Sequence, residues 1–404
     1  MPTTHRRQFL ATCSVLATIS ILPEALSADE NGANSMTPVT SDTPEAESCA
    51  EVGKPYAGWK KGEMDLHFIL NGASESMFHI YPDGTTLLLD AGDRATENYA
   101  KNIPLYPDGS RLASEWIMRY LSRVNPGGRN IDYMILSHYH SDHGGNEEKH
   151  AGKTQGRGDD YYLSGLANIG EHFTFKTVFD RGYPTYDKPI VLKSDGYTNF
   201  VKFTKYMLSA GKFKMEEFEV GKLDQIHLLN DAEAYPTFHI RNICRNGVVW
   251  TGEEGRNRDF YAEPASRKGW VNENTLSLGM TIEYGPFRYF TGGDLSGRVV
   301  NEKNEDQGIE GYTGTVVGPL DVCKTNHHSY KDAMTPEFTQ AVQAQVYVSN
   351  VWDLYHLQDN TMTNMTQAAE NVLVCPTAVH AGNREIYPDA PWLKNLAPES
   401  WEGG

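Results

Sequence analysis

The stretch that most constrains this chain is residues 137–145, which read SHYHSDHGG. Three imidazoles and a carboxylate fall within the six residues 138–143. The stretch directly follows residues 131–136, IDYMIL, a largely apolar run that we interpret as a buried strand. Polar, metal-ligating side chains clustered where a buried strand ends predict a functional site at the edge of a sheet.

The spacing of these side chains divides them into two pairs. His138 and His140 are two residues apart, so in extended backbone both project to the same side. Asp142 and His143 are adjacent and can serve a second position as the chain turns. Imidazole with carboxylate, and no thiolate, suits Zn²⁺, Mn²⁺ or iron. We therefore predict a site for one or two divalent ions, with zinc as the expected metal.

The amino-terminal segment predicts export. Residues 4–10, THRRQFL, resemble the twin-arginine signal, and a moderately apolar run follows at 9–22. Small residues at 25–28 offer a cleavage site. We predict that residues 1–28 are a signal peptide of the twin-arginine type, which moves folded proteins, and that the protein is periplasmic or secreted.

Charge limits the expected partners. The chain has 404 residues and a formal net charge of −17. Such an acidic chain should repel long nucleic acids and anionic membranes. Beyond the signal, no apolar run reaches the ~18 residues that a membrane span needs. A small-molecule substrate is therefore the expected partner.

The four cysteines beyond the predicted signal leave two alternatives open. An exported protein could pair them in up to two disulfides, or keep them as buried thiols. They are Cys49, Cys244, Cys323 and Cys375.

The order of predicted elements indicates the fold class. Residues 29–57 are polar and rich in Pro, Ser and Thr, which predicts a flexible linker before a folded region at 58–404. Apolar runs predict strands at 64–70, 76–81, 85–89, 131–136, 175–180, 238–250, 274–284, 287–291, 321–325 and 345–351. Helices are predicted at 110–124 with Ser110 as cap, at 197–210, at 336–344 with Thr335 as cap, and at 363–372. Surface loops are predicted at 144–160 and 256–272. Strands thus come in two batches, each followed by helices, which favours an α/β fold of two sheets packed face to face with helices outside.

The motif H-x-H-x-D-H at 138–143 resembles the signature of the metallo-β-lactamase superfamily. Asp90 in LLDAG and Asp294 in TGGD match two further motifs of that superfamily. The resemblance extends from about residue 64 to about residue 380. It implies a four-layer αββα sandwich of two mixed sheets with helices outside, and a metal-dependent hydrolase that uses a metal-activated water.

The resemblance also implies roles for individual residues. His138 and His140 would bind a first metal, and Asp142 and His143 a second. The remaining ligand positions are Asp294 as the bridge between the metals, His328 as the last ligand of the second metal, and His327 as the rival of His328. Asp142 and Asp90 would be the catalytic carboxylates. Asp142 would take a proton from the water or pass one to the leaving group, and Asp90 would orient a ligand histidine.

Three features look like the branch that contains the hydrolase domain of the competence protein ComEC. They are NENTLSL at 272–278, the Gly-Asp at 293–294, and the His-His pair that follows residues 320–325. This likeness favours a phosphodiester or similar small ester as substrate. A β-lactam or lactone is the alternative substrate, and a non-catalytic metal-binding module is the alternative of another class.

The chain departs from the superfamily pattern in two places. Ser329 follows the His pair where the family usually has glycine. A further first-metal histidine is often found between the second and fourth motifs, and the candidates here are His172, His227 and His239. None of the three lies in a recognisable motif, so the first metal lacks an assigned third imidazole.

Overall fold

The structure is a computed structural model that describes residues 11–14, 16–21, 56–93, 103–146, 161–194, 196–262, 271–297, 307–379 and 381–397. Most of the predicted linker and most of the predicted loop at 144–160 lie outside the described residues. The described chain contains Cys244, Cys323 and Cys375 as buried thiols, whereas Cys49 lies outside it.

Strands in the described residues form two mixed sheets. The first sheet runs in chain order: β1 (Ala11–Ser14), β2 (Leu16–Ile21), β3 (Met64–Ile69), β4 (Ser76–Ile80), β5 (Thr86–Ala91), β6 (Asn130–Leu136), β7 (Thr174–Asp180) and β8 (Lys214–Met215). The second has the order β11 (Asn257–Asp259), β10 (Val248–Trp250), β9 (Phe238–Arg245), β12 (Gly279–Tyr284), β13 (Phe287–Thr291), β14 (Val322–Lys324), β15 (Val346–Ser349) and β16 (Leu373–Pro376). In each sheet antiparallel pairs come first, and pairing becomes parallel from β5 and from β13 onward.

Helices cover the outer faces of both sheets. They are α1 (Ala113–Val124), α2 (Ser141–Gly144), α3 (Gly165–His172), α4 (Tyr197–Ser209), α5 (Ile309–Val317), α6 (Pro336–Val342), α7 (Asp359–Ala368) and α8 (Ala381–Ile386). Short 3-10 turns lie at Ala232–Ala234, Glu273–Leu276, Asn326–Ser329 and Pro391–Asn395.

Alternation along the strands explains the layers. On β5, Leu87 and Leu89 belong to the core between the sheets, whereas Leu88 belongs to the core under α1, α3 and α4. On the other sheet, Ile282 faces the first sheet while Phe290 packs with Phe338 of α6. Three apolar layers therefore separate four structural layers, which confirms the predicted αββα sandwich.

Several element boundaries differ from the prediction. Helix α1 begins at Ala113, because the Glu115 carboxylate accepts a hydrogen bond from the N–H of Leu112 at 2.8 Å. Ser110 is therefore not its cap. Thr335 does cap α6, with its hydroxyl accepting from the N–H of Phe338. The helix predicted at 363–372 lies four residues earlier, as α7, and it ends at Ala368 because Ala369 has an extended backbone that leads toward the edge strand β16.

Sequence patterns did not indicate α3, α5, α8, β11 or β16. Helix α5 contains Gly311 and Gly314, which disfavour a helix. A Cβ at either position would lie under 3 Å from Glu337 or Phe338 of α6, at 2.7 and 2.9 Å respectively. Close packing between two helices therefore outweighs the low propensity.

Strands β1 and β2 lie within the segment that we assign to the export signal. They form a hairpin whose second strand pairs antiparallel with β3. The residues of the predicted site lie elsewhere, at the end of β5 and just after β6, β13 and β14. Among the described residues, no helix combines the length and the apolar character needed to cross a bilayer.

Candidate metal centre

The predicted site residues meet where the parallel strands of both sheets end. Asp90 lies at the end of β5, the histidine motif follows β6, and Asp294 follows β13. The N–H of Leu278 donates to the carbonyl of Ser137 at 3.0 Å and joins the two sheets beside this edge. Carboxyl ends of neighbouring parallel strands lie at one edge of a sheet, and here the two edges face each other.

Asp294 is the hub of the arrangement. Its Oδ2 lies 3.2 Å from Nε2 of His143 and 3.2 Å from Nε2 of His328. The same oxygen lies 3.7 Å from Nε2 of His138 and 3.9 Å from Nε2 of His327. Four imidazoles from two sheets therefore surround one buried carboxylate, in the position predicted for a bridging ligand.

The ring of His143 is fixed from behind by Asp90. Oδ2 of Asp90 lies 2.8 Å from Nδ1 of His143 and accepts the Ser137 hydroxyl at 2.6 Å. Oδ1 accepts the Ser137 N–H at 2.7 Å. Asp90 has a φ of 57°, a rare backbone conformation for a residue with a Cβ. A carboxylate on Nδ1 leaves Nε2 as the nitrogen that faces Asp294.

The Asp142 backbone packs tightly against the end of β5. A Cβ on Gly92 would lie 1.8 Å from the carbonyl oxygen of Asp142, so only glycine fits there. Asp142 itself is buried, and its Oδ2 lies 3.6 Å from Nε2 of His328. The second predicted pair thus reaches the same centre as His328.

His327 and His328 occupy a strained turn after β14. The φ angles of His327, His328 and Ser329 are 43°, 52° and 61°, three consecutive residues in the left-handed region. Such strain persists only where the surroundings enforce it and is concentrated at functional sites. The turn points Nε2 of both histidines toward Asp294.

The two members of the pair have different surroundings. His328 is buried, with Nδ1 3.1 Å from the carbonyl of Asn350 and its ring against those of Trp352 and His356. His327 is partly exposed, and its Nδ1 lies 2.6 Å from Oδ1 of Asp332. His328 is therefore the buried member of the pair, and His327 lies at the rim of the group.

The first predicted pair forms its own group. Nε2 of His138 and Nδ1 of His140 are 3.0 Å apart, and both can reach Asp294. The backbone between them is held by Glu273, whose Oε1 accepts the N–H of Tyr139 at 2.8 Å. Glu273 is itself held by Arg181 through two bonds of 2.5 and 2.7 Å. Sequence reasoning missed this buried ion pair.

None of the three candidates for a further imidazole joins this group. His239 is partly exposed on β9, and its Nδ1 pairs with Asp224 at 2.9 Å. His172 ends helix α3, and His227 lies in the segment before β9. Asn274 lies nearer, with Nδ2 3.2 Å from Nε2 of His327. The structure therefore brings no third imidazole to His138 and His140 from these candidates.

Two further charged side chains that sequence reasoning missed lie at the centre. Glu75, just before β4, forms a four-donor group with His143, Asp294 and His328. Lys324, the last residue of β14, is fully buried, and its Nζ lies 2.8 Å from Oε2 of Glu75. A single glutamate and a single lysine carry no sequence signal, because both residue types are usually exposed.

The carboxylates shift the pKa values of the central imidazoles. Burial alone would lower the pKa of His143, but Asp294 and Asp90 raise it well above its usual value. Burial likewise opposes the charged form of His328, and Asp294, Asp142 and Glu75 raise its pKa to about 10. The centre is therefore an environment that attracts positive charge.

The donor set fits a divalent metal. Nε2 of His143 and Nε2 of His328 are buried and make no hydrogen bond of standard geometry, and each lies 3.2 Å from Oδ2 of Asp294. A buried polar atom without a hydrogen bond is costly, so two ring nitrogens that face one carboxylate oxygen form an arrangement that a bound cation would satisfy. Imidazole nitrogens with carboxylate oxygens suit Zn²⁺, Mn²⁺ or iron. The residues present therefore fit the predicted ion.

The fold is that of the metallo-β-lactamase sandwich, and the site lies at the edge where its two sheets meet. Residues 72–148 match the family model described as the Metallo-beta-lactamase superfamily. The matched segment includes Glu75, Asp90 and the histidine motif. No curated protein sequence matches this chain.

Solved structures with similarity to the chain include three from different organisms. A putative metal-dependent hydrolase from Parabacteroides distasonis is 10% identical, with a TM-score of 0.31, over 84% of this chain and 95% of that one. Human tRNase Z, short form, is 9% identical, with a TM-score of 0.31, over 75% and 85%. CmlA, a diiron beta-hydroxylase from Streptomyces venezuelae, is 11% identical, with a TM-score of 0.35, over 76% of this chain. This chain spans only 47% of CmlA.

Proposed function

We propose that this protein is an exported metal-dependent hydrolase that acts on a phosphodiester or a similar small ester. The observation that carries the proposal is the convergence of His143 and His328 on Asp294, each at 3.2 Å, with all three side chains buried. Nε2 of each ring makes no hydrogen bond, as expected of a nitrogen that binds an ion.

Two positions for ions follow from the side chains. Asp142, His143, Asp294 and His328 would hold one ion, and His138, His140 and Asp294 would hold the other. A bound divalent ion supplies a water that is acidic enough to lose its proton near neutral pH, and it polarises the substrate oxygen. We propose zinc as the ion, because the donors are imidazole and carboxylate. Metal analysis of the purified protein would show whether manganese or iron is bound instead.

The chain's own residues would orient the ligands and move the proton. Asp90 keeps the proton of His143 on Nδ1, so that the Nε2 lone pair faces the centre. Asp142, at the edge of the same group, would accept a proton from the attacking water at a carboxylate oxygen and return it to the leaving group. His327 is held by Asp332 and is partly exposed, so a substrate would approach the centre past this residue.

The proposed substrate class rests on the likeness of residues 272–278, Asp294 and the His pair to the ComEC branch. The fold places this pattern around one site, because Nδ2 of Asn274 lies 3.2 Å from Nε2 of His327, and Ser277 Oγ accepts the N–H of Asp294 at 3.2 Å. The net charge of −17 opposes a long polyanion. A small phosphodiester is therefore the proposed substrate.

The test is a panel of substrates given to metal-loaded protein. Bis(4-nitrophenyl) phosphate, a chromogenic cephalosporin and a simple lactone separate the three classes. We expect turnover of the phosphodiester by wild type and by Asp224→Asn, and none by Asp294→Asn. Asp224 is the matched control because it pairs with His239 on the surface, away from the centre. Turnover of the cephalosporin or lactone alone would replace the proposed substrate class. Metal binding with no hydrolysis of any substrate would instead favour the non-catalytic module.

The export proposal has its own test. Twin-arginine signals depend on the arginine pair, here Arg6 and Arg7. Replacement of both by lysine should keep the protein inside a host that has this pathway. Continued export of the double variant would contradict the proposal.

A further inference from the structure

Lys324 and Glu75 form a fully buried ion pair directly behind the proposed ligands. Nζ of Lys324 lies 2.8 Å from Oε2 of Glu75 and donates to the carbonyl of Gly293 at 2.7 Å. It also lies 3.9 Å from Oδ1 of Asp294. Both side chains are completely buried. Isolated buried ion pairs contribute little to stability, so this pair calls for another explanation.

The Glu75–Lys324 pair contacts the two turns of the second sheet that carry proposed ligands, one at His328 and one at Asp294. Oε2 of Glu75 lies 3.2 Å from Nδ1 of His328, whereas Nε2 of the same ring faces Asp294. Lys324 holds the carbonyl of Gly293, the residue before Asp294. One ion pair thus links the turn of His328, the turn of Asp294 and the start of β4 in the first sheet.

Glu75 is close enough to the imidazoles to be a ligand, but its contacts oppose that role. The oxygen that reaches His328 lies on the Nδ1 side of the ring and is shared with the Lys324 ammonium. A carboxylate that accepts the Nδ1–H of a ligand histidine fixes its tautomer and its orientation. Nδ1 of His328 also lies 3.1 Å from the carbonyl of Asn350, so the Glu75 carboxylate and that carbonyl both face this nitrogen, whereas Asp90 lies 2.8 Å from Nδ1 of His143.

We propose that Glu75 and Lys324 are positioning residues of the metal centre. Glu75 holds His328 with Nε2 toward the ion, and Lys324 holds both Glu75 and the backbone next to Asp294. Neither residue is a ligand. This inference rests on the metal centre of the proposed function. Zinc binding by the wild-type protein tests that centre separately.

The experiment compares zinc affinity with fold stability in the metal-stripped full chain. Zinc affinity is measured by competition with a chromogenic chelator, and stability by thermal unfolding without metal. The variants are Lys324→Met, Glu75→Gln and the double variant Glu75→Leu/Lys324→Met. Lys176→Met is the control, because the exposed Lys176 pairs with Asp132 near the start of β6, at the opposite end of that strand from the centre.

Lys324→Met should lower the unfolding temperature, because it leaves Glu75 as a buried charge without its partner. The double variant should unfold at a temperature close to that of wild type, because it contains no buried charge without a partner. Its zinc affinity should still be about 10- to 100-fold weaker than that of wild type, because His328 has lost the carboxylate that faces Nδ1 and keeps only the carbonyl of Asn350 there. Glu75→Gln keeps an oxygen for Nδ1 of His328 and should lose less than about tenfold.

Three results decide between the roles. Zinc affinity that recovers together with stability in the double variant would mean that the pair only supports the fold, and would overturn the inference. A loss in Glu75→Gln as large as in the double variant would make Glu75 a ligand and would also overturn it. If the double variant does not fold, zinc affinity of Lys324→Met below its unfolding temperature decides the matter: affinity weaker than that of Lys176→Met would support the inference, and affinity equal to it would overturn the inference. Failure of wild type to bind zinc would contradict the proposed function itself.

Discussion

Asp90 lies 2.8 Å from Nδ1 of His143 and at the same time receives both the N–H and the hydroxyl of Ser137. One carboxylate therefore fixes the backbone at the start of the histidine motif and the ring at its end. Because Ser137 and His143 are only six positions apart, both contacts of Asp90 orient the same loop. This relation links the end of β5 to the proposed ligands.

Replacing Asp90 by asparagine should weaken zinc binding by about 10- to 100-fold, because an amide holds the ring of His143 less firmly in the required tautomer. Chelator competition on metal-stripped protein measures the change. Asp132→Asn is the control, since Asp132 is a buried carboxylate at the other end of β6 that bonds Thr86. Equal zinc affinity in both variants would contradict the proposal that Asp90 orients His143 for metal binding.

Most of the fold could be predicted from local patterns. Apolar runs indicated most strands of both sheets, and the ends of β6, β13 and β14 marked the places where polar side chains cluster. The residues of the histidine motif are close in sequence, so their proximity in space follows from the backbone alone. Asp294 and His328 come from another sheet, and their place rested on the resemblance.

The parts that could not be predicted depend on contacts between distant segments. Glu75 and Lys324 are 249 positions apart and are buried only because the two sheets meet. Helix α5 forms because Gly311 and Gly314 admit close contact with α6, which its own sequence does not indicate. Arg181 and Glu273 likewise meet only in the folded chain.

Metal binding should release protons. The pKa of His328 is raised to about 10, and that of His143 is also raised, so both rings are protonated in the metal-free protein near neutral pH. Because the folded pKa lies above the unfolded value, the stability that these protons contribute is present below about pH 6.5 and is lost as pH rises through the folded pKa. Calorimetry in buffers of different ionisation enthalpy should show at least one proton released per zinc. No proton release would contradict the assignment of these rings as ligands.

The Arg181–Glu273 pair should matter for stability more than any surface pair. Arg181→Met leaves Glu273 buried without its partner and should lower the free energy of unfolding by about 3–5 kcal/mol. Arg256→Met breaks an exposed pair with Glu253 and should cost about 0–1 kcal/mol. Urea unfolding compares the two variants. Similar small losses in both would show that the buried pair does not hold the loop of Tyr139.

Substitution of Gly92 tests whether the close packing of the Asp142 backbone against β5 matters for the site. An added methyl group would lie 1.8 Å from the carbonyl of Asp142, so Gly92→Ala must displace the motif backbone. We expect zinc affinity to fall by about tenfold or more, as for other changes that disturb ligand orientation. Gly109→Ala is the matched control, since nothing lies within 4 Å of the added carbon. Wild-type affinity in Gly92→Ala would show that the packing leaves the site unaffected.

The most direct test of the central claim is zinc binding by metal-stripped protein in a pair of histidine variants. His143→Gln removes a ring that faces Asp294, whereas His239→Gln removes a ring that faces Asp224 on the surface. The metal centre described above predicts tight binding by wild type and by His239→Gln, and a loss of roughly a hundredfold or more in His143→Gln, since a ligand is lost rather than its support. Absence of zinc binding in wild type, or equal binding by the two variants, would contradict it.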